Sequence, residues 1–382
     1  MFETSSIAIS ESAYKHNLSF IKKQSGPNVK FCSVVKGNAY GHGLVTFAKM
    51  AVKCGVNYFA VYSAAEAYEL WESVPNVSMM IMGSTDENSL NWAIENGIEF
   101  FVYDEEKLGL TFAIADKLSK KAKIHIEVET GMNRTGFNLE ELPSVFKRIY
   151  ENEGLIDFVG FCTHYAGAES LVNDFRVKQQ IQHFDEAQKL LSKSGLTAKY
   201  THSACSAAMM NYPETTSNLV RIGIMQYGFW PNEETLVRYN GNSREVDFTL
   251  HRLITWKSKV MTIKNIEKGE YVGYSTSFQA YTDLTLAVVP IGYAYGYSRS
   301  LSNSGKVLIR GEEAPTCGIV NMNAVCVDIS HIENVKINDE VVLIGKQGKK
   351  SISVASFGEM SDQLNYELLT RLPLNIPRKI ID

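Results

Sequence analysis

The sequence predicts two domains, an α/β barrel of the (β/α)8 type followed by a mainly antiparallel β domain. Three observations carry that expectation. Short β-rich runs alternate with amphipathic helical segments through the first part of the chain, which implies parallel strands with helices outside. The texture changes after Trp230-Pro231, where helical periodicity gives way to short β runs separated by Gly, Asn and Asp. The chain also has 382 residues, more than a single hydrophobic core accommodates.

Taken in order, Ile7–Ser10 reads as a short β run, and Glu11–Lys22 as a helix with Tyr14, Leu18 and Ile21 on one face. Phe31–Val35 begins the barrel strands. Tyr58–Val61, Met79–Met82, Phe100–Val102, Ile124–Val128, Phe158–Thr163 and Val220–Tyr227 continue them, separated by helical segments such as Ala65–Trp71, Glu105–Leu118 and Phe175–Leu191. About eight such units suit a closed barrel better than an open doubly wound sheet. No Gly-x-Gly-x-x-Gly follows the first strand, which speaks against dinucleotide binding. The boundary is expected at 237/238, giving a barrel over 1–237 and a β domain over 238–382 with room for the N-terminal run to join its sheet. In that domain Arg244–Val260 alternates, Leu284–Pro290, Lys306–Ile309, Ala324–Ile329 and Glu340–Ile344 are β runs, and helical pattern returns over Val354–Gln363.

Composition narrows the function. Lys+Arg number 38 against Asp+Glu 42, so there is no basic field for nucleic acid or an anionic membrane. No apolar run approaches the ~20 residues of a membrane span. The six cysteines form no short-spaced pairs, no metal-ligating cluster stands out, and Met1-Phe2-Glu3-Thr4 lacks the profile of a signal peptide, so a cytoplasmic protein is expected.

The chemistry centres on Phe31-Cys32-Ser33-Val34-Val35-Lys36-Gly37-Asn38-Ala39-Tyr40-Gly41-His42-Gly43. A lysine stands where an apolar strand ends. An ammonium held against apolar walls loses hydration and its pKa falls, which frees a neutral amine to act as a base or to join an aldehyde. Lys36-Gly-Asn-Ala-Tyr40-Gly-His-Gly43 resembles the pyridoxal-phosphate signature of the alanine racemase family, in which this lysine carries the cofactor. The resemblance extends over essentially the whole chain and implies the same barrel-plus-β arrangement.

Further segments are similar to that family's. In Ile124-His-Ile-Glu127-Val-Glu129-Thr-Gly-Met-Asn-Arg134-Thr-Gly-Phe137, which alone would read as a half-exposed strand, the resemblance places Arg134 beside the cofactor's phenolic oxygen and the substrate carboxylate. Many members hold that arginine with a carbamylated lysine; here Glu127 occupies the position, and a carboxylate accepting directly from Arg134 is expected. Gly160-Phe-Cys-Thr163-His164 and Val220-Arg221-Ile-Gly223-Ile224 imply a chain Tyr274–His164–Arg221, with Arg221 facing the pyridine nitrogen. Ser206, in His202-Ser-Ala-Cys205-Ser206, and the amides of Gly223 and Ile224 are expected at the phosphate, as are the hydroxyls of Tyr40 and of Tyr366 in Leu364-Asn365-Tyr366-Glu367. Val272-Gly273-Tyr274-Ser275 matches the catalytic tyrosine segment, and Tyr293, in a Gly-Tyr-Ala-Asp-Gly-like run where Tyr295 replaces the aspartate, falls at the substrate pocket.

Racemisation needs two bases on opposite faces of one carbon. By resemblance these are Lys36 and Tyr274, the tyrosine coming from a second subunit of a homodimer with shared sites. The implied activity is interconversion of L- and D-alanine, supplying D-alanine for peptidoglycan. Departures bear on the substrate: Gly318-Ile319-Val320-Asn321-Met322-Asn323 stands where the family usually has Gly-Arg-x-Cys-Met-Asp, although Met322 still offers its backbone amide to a substrate carboxylate. Cys205 replaces an asparagine. A broader-specificity racemase acting on serine, lysine or arginine is therefore an alternative. A decarboxylase of similar architecture would want a glutamate where Arg221 stands, and the non-enzymatic cofactor-binding proteins of this fold lack the β domain.

Overall fold

The computed structural model describes residues 3–242, 249–354 and 365–382. The chain divides into two compact units, one formed by 12–37 and 48–252, the other by 1–11, 38–47 and 253–382. The division after the barrel falls at Arg252, some way beyond 237, and an early segment around Tyr40 and His42 belongs with the C-terminal unit.

Strand β1 (Ser5–Ser10) lies in the second unit. The first unit is built on eight parallel strands: β2 (Lys30–Val34), β3 (Tyr58–Val61), β4 (Ser78–Ile81), β5 (Glu99–Val102), β6 (Ala122–Glu127), β7 (Ile156–Cys162), β8 (Tyr200–His202) and β9 (Leu219–Ile222). They run in the order β8-β7-β6-β5-β4-β3-β2-β9. The ring closes where Cys205 pairs with Arg221 and the Arg221 N–H donates to Ala204 O at 3.0 Å. Parallel strands are covered on both faces, so β3 and β5 are buried at every residue, β3 through an apolar sequence and β5 with Glu99 buried ahead of an apolar run. Helices Ala64–Ser73, Glu87–Glu95 and Glu105–Leu118 start on Ser63, Asp86 and Asp104, whose side chains accept from the first helical turn. Such caps fix each helix close behind its strand.

Three barrel elements differ from the sequence expectation. Val220–Tyr227 reads as one apolar strand, but β9 stops at Ile222 and Ile224–Tyr227 is a 3-10 turn. A short buried apolar run does not distinguish strand from helix. Strand β8 went unpredicted because Tyr-Thr-His carries no apolar run. The segment around His125, expected to be half exposed, is buried at Ile124, His125, Ile126 and Glu127.

The second unit holds β10 (Ile254–Lys259), β11 (Thr262–Ile266), β12 (Leu284–Val289), β13 (Lys306–Ile309), β14 (Glu312–Cys317), β15 (Val325–Asp328), β16 (Glu340–Gln347), β17 (Lys350–Ile352) and β18 (Arg378–Ile381). With β1 they form a sheet in the order β11-β12-β15-β14-β13-β16-β10-β1-β18, and β17 pairs with β16. Pairing is antiparallel throughout except between β1 and β18. Of the expected helix over Val354–Gln363, residues 355–363 lie outside the described residues. So do 244–248 of the alternating run.

The segment after Lys36 has an uncommon backbone. Gly37, Asn38, Ala39, Tyr40 and Gly41 all take positive φ, at 62°, 55°, 52°, 51° and 80°, making one left-handed helical turn. Three of the five are not glycine, and L-residues occupy that region only when neighbouring structure holds them there. Within the second unit the holding contacts are clear. The Arg378 guanidinium donates to Gly41 O and to the carbonyls of Leu372, Pro373, Leu374 and Ile376. Its burial pushes the pKa down to about 10. The Leu369 carbonyl, in helix Asn365–Thr370, lies against Gly41 so closely that a Cβ there would collide with it.

This arrangement gives a stability prediction. Gly41→Ala is expected to cost about 2–4 kcal/mol, combining left-handed strain with the collision. Gly55→Ala has nearly the same φ, 83°, but open space, and should cost only about 1–2 kcal/mol. Urea unfolding of both variants checks this; equal losses would mean that Leu369 yields freely.

Candidate functional site

In the barrel unit the predicted residues gather at the carboxyl ends of the strands, where this architecture places its chemistry. Lys36 lies two residues beyond β2, Arg134 in the loop after β6, His164 two residues beyond β7, Ser206 four residues beyond β8, and Gly223 and Ile224 immediately after β9. The register Cys32↔Arg221 sets the Lys36 strand beside the strand carrying Arg221.

Lys36 has the electrostatics expected of a working amine. Burial pushes its pKa below the ordinary lysine value, and the charges of Arg134 and Arg221 push the same way. Glu66 opposes them. Its carboxylate also accepts from the backbone N–H of Gly37 at 2.6 Å. His164 is driven down to about 3 by burial and by Arg221, Arg134 and Lys36. At neutral pH it is therefore an uncharged imidazole beside the charges of Arg221 and Arg134.

Arg221 is held firmly, though not as expected. Its guanidinium donates to His202 Nδ1, to His202 O at 2.9 Å and to Thr163 O at 2.7 Å. These contacts replace the expected direct bond to His164, which feels Arg221 through its charge. Glu127 also departs from expectation. Its carboxylate accepts from the Thr135 hydroxyl at 2.8 Å rather than from Arg134, and burial raises its pKa. Arg134 is exposed, and its backbone N–H donates to Glu129 Oε2 at 3.2 Å.

Could these residues hold pyridoxal phosphate? The fit is tested at the phosphate end. The Ser206 hydroxyl is buried without a hydrogen-bond partner, an arrangement that costs about 1–3 kcal/mol unless a ligand supplies the partner. Ser206 opens helix Ser206–Asn211, whose first turn has no side-chain cap, and Ile224 opens the 3-10 turn on the adjacent strand. Free amides and an orphaned hydroxyl on neighbouring strand ends suit an anion. With an amine of depressed pKa nearby, the donor set fits a phosphorylated aldehyde.

The remaining predicted residues belong to the second unit. The rings of Tyr40 and Tyr366 lie 6.1 Å apart. Tyr274 is 72% exposed in the loop between Val272 and Phe278, which hydrogen-bond to each other at 3.1 Å. Val272 packs with Cys317 and Leu286, bringing that loop beside the Gly318–Asn323 segment. Tyr293 N donates to Asn321 O at 3.1 Å and Ala294 N to Met322 O at 3.0 Å, so Tyr293 and Met322 share one edge of this unit.

Sequence reasoning missed the barrel interior. Beneath Arg221, His202 Nε2 lies 2.9 Å from His125 Nδ1, and His125 Nε2 lies 3.0 Å from Glu99 Oε2, which also accepts from the Tyr58 hydroxyl. No spacing on one strand announces this chain, because its members come from β9, β8, β6, β5 and β3.

Comparison with known proteins bears on the whole chain. The family model described as alanine racemase, N-terminal domain, matches residues 9–231, and that of the C-terminal domain matches 253–380. The curated alanine racemase of Methanococcus maripaludis is 35% identical over 369 residues, spanning 96% of each chain. The crystal structure of alanine racemase from Bacillus anthracis with bound L-Ala-P superposes with a TM-score of 0.90 at 30% identity, covering 100% of this chain and 96% of that one. A histidine racemase from Leuconostoc mesenteroides gives 0.89 at 25% identity, covering 100% and 98%.

The orphaned hydroxyl yields a test. Ser206→Ala is expected to leave the unliganded protein as stable, or about 1 kcal/mol more stable, because it removes a buried unsatisfied group. Its affinity for pyridoxal phosphate should fall by about tenfold, the loss of roughly one charge-assisted hydrogen bond. Thermal unfolding and a spectrophotometric titration measure the two effects; a destabilised variant of unaltered affinity would show that the hydroxyl serves the fold alone.

Proposed function

The chain belongs to the alanine racemase family, and on that footing we propose that it interconverts L- and D-alanine with pyridoxal phosphate held at Lys36. The single observation that carries this reading is the amine at the end of β2, depressed by burial and flanked by the charges of Arg221 and Arg134. When bound, the cofactor supplies an electron sink that acidifies the α-hydrogen of an amino acid joined to it. Ser206 and the amides of Gly223 and Ile224 would bind its phosphate, with Tyr40 and Tyr366 completing the enclosure. Arg221 would face the ring nitrogen and, because a guanidinium keeps its proton, leave that nitrogen unprotonated. This favours proton exchange over transamination and decarboxylation.

Proton transfer falls to the chain's own residues. Lys36 Nζ, available as a neutral amine, takes or returns the α-hydrogen on one face, and Tyr274 Oη works on the opposite face. Arg134 and the Met322 amide hold the substrate carboxylate, and His164 stays neutral beside Arg221. We assign Tyr274 to the site of a second subunit, in a homodimer with shared sites. The exposure of Tyr271, Tyr274, Tyr281 and Tyr293, all on the β unit, supports a partner surface there, since aromatics are enriched at interfaces. Among the described residues no helix is long and apolar enough to cross a membrane. All six cysteines are free thiols, which agrees with a role in the cytoplasm supplying D-alanine for peptidoglycan.

One observation favours a second reading of the substrate. Asn321 Oδ1 is buried without a partner, and Met322 beside it is 55% exposed. With Ile319 and Asn323 where the family usually has charges, this wall has a spare acceptor and fewer ions, and a solved relative of the same fold is named a histidine racemase. Side chains longer than alanine's would then be accepted.

Two assays check these readings. Tyr274→Phe is expected to slow solvent-deuterium exchange from one alanine enantiomer by about 10²–10⁴-fold while sparing the other far more. Equal retention in both directions would remove Tyr274 from the reaction. Chiral analysis of Ala, Ser, Lys and Arg incubated with the enzyme should show racemisation of alanine and, more slowly, of at least one larger amino acid; activity on alanine alone rejects the broader substrate range.

A further inference from the structure

The hydrogen-bond chain beneath Arg221 has a direction that chemistry alone imposes. A guanidinium has donors and no acceptor, so His202 Nδ1 must accept from Arg221. Burial, reinforced by the Arg221 charge, keeps His202 well below the usual histidine range and hence neutral, so its proton sits on Nε2. That N–H can only donate to His125 Nδ1, 2.9 Å away. His125 then donates from Nε2 to Glu99 Oε2, and the Tyr58 hydroxyl donates to the same oxygen. One fixed cation thus sets both tautomers and leads to one carboxylate.

The barrel is built to admit this chain. The β6–β7 register shifts between Ile124 and His125, so that His125 pairs with Gly160. A Cβ on Gly160 would collide with the His125 ring. Phe101 packs beside both imidazoles, with centroids 5.7 Å from His125 and 6.0 Å from His202, sealing them from water. His125 and His202 are fully buried. Burial by itself would raise the Glu99 pKa, but the bonds from His125 and Tyr58 and the charge of Lys123 bring it below the ordinary value, so Glu99 is an anion.

We propose that Glu99 is the remote counter-ion of Arg221, acting through His125 and His202 to fix the guanidinium's orientation and to temper the positive charge it turns toward the cofactor ring. Hydrogen bonds in a chain polarise one another. An anion at the far end makes His202 Nδ1 a stronger acceptor, draws on the Arg221 N–H, and leaves the guanidinium a weaker donor on its other side. Glu99, His125 and His202 are positioning residues, reaching from the strand beside Lys36 through Arg221 to β8, β6 and β5. The inference rests on the reading that Arg221 faces the ring nitrogen, and it adds why that arginine withdraws so little from the ring.

The test has an arm that needs no cofactor. In unloaded protein labelled with 15N-histidine, long-range NMR couplings should show His125 and His202 protonated on Nε2 alone. In Glu99→Leu the His125 Nε2–H loses its acceptor, so His202 should stay protonated on Nε2, as Arg221 requires, while its Nδ1, now a weaker acceptor, moves in 15N shift toward the value of an unbonded ring nitrogen. A His202 protonated on Nδ1 in the wild type, or a His202 Nδ1 resonance unmoved in Glu99→Leu, overturns the proposal. Glu99→Gln keeps an acceptor for His125 and removes the charge, so it should fold and retain the tautomers. Loaded with pyridoxal phosphate, it should release pyruvate, by passing alanine's amino group to the cofactor, about tenfold more often per racemisation, the low end of what loss of an outer partner costs at ligand histidines. KM for alanine should change less than about twofold. A merely structural glutamate would shift stability and leave that ratio alone, and an unaltered ratio overturns the proposal. Wild-type protein that takes up no pyridoxal phosphate would sink the functional reading, while the tautomers still decide the chain.

Discussion

The barrel depends on keeping a permanent cation buried at the point where its ring of strands closes. Arg221 sits on β9, pairs with Cys205 across the closing bridge, and is 5% exposed. A guanidinium cannot shed its proton to escape an apolar setting, so every element around it must present an acceptor. Thr163 offers a carbonyl from the end of β7, and His202 offers both a carbonyl and a ring nitrogen from β8. The same charge then acts outward on Lys36 and His164, depressing both. One buried cation therefore ties strand closure to the reactivity of the amine beyond the adjacent strand.

Much of this was legible in the sequence, and the reasons are specific. Lys36 could be read because the run from Lys36 to Gly43 resembles the family's cofactor signature, whereas a strand-end lysine alone would read as solvated. The strands with long apolar runs could be read because parallel pairing buries both faces. Strand β8 could not, since Tyr-Thr-His shows no periodicity, and its place in the sheet comes from its neighbours. His125 looked like one residue of an alternating surface strand. In fact the barrel lumen takes polar side chains when they satisfy one another, and that is a property of five strands together, which no single segment displays.

In the β unit the motif around Tyr274 was visible, yet its support was not. The loop that bears it is fixed by Val272 packing on Cys317 and Leu286, residues far apart in sequence. Arg378 was likewise silent. An arginine next to Pro377 near the C-terminus reads as solvated, whereas five carbonyls converge on it and secure the loop behind Tyr40. Pairing of β1 with β10 and β18 was open in the sequence for the same reason: parallel and antiparallel partners drawn from opposite ends of a chain leave no local mark.

The left-handed turn after Lys36 is also where the polypeptide leaves one compact unit, to return at residue 48. Neither unit is thus a contiguous stretch of gene. A fragment cut at the C-terminal boundary would carry an orphan β1 strand and a ten-residue excursion whose clamps lie on the discarded piece, so modular exchange of barrels between relatives is barred at this junction. The two halves of such an enzyme are obliged to be inherited together.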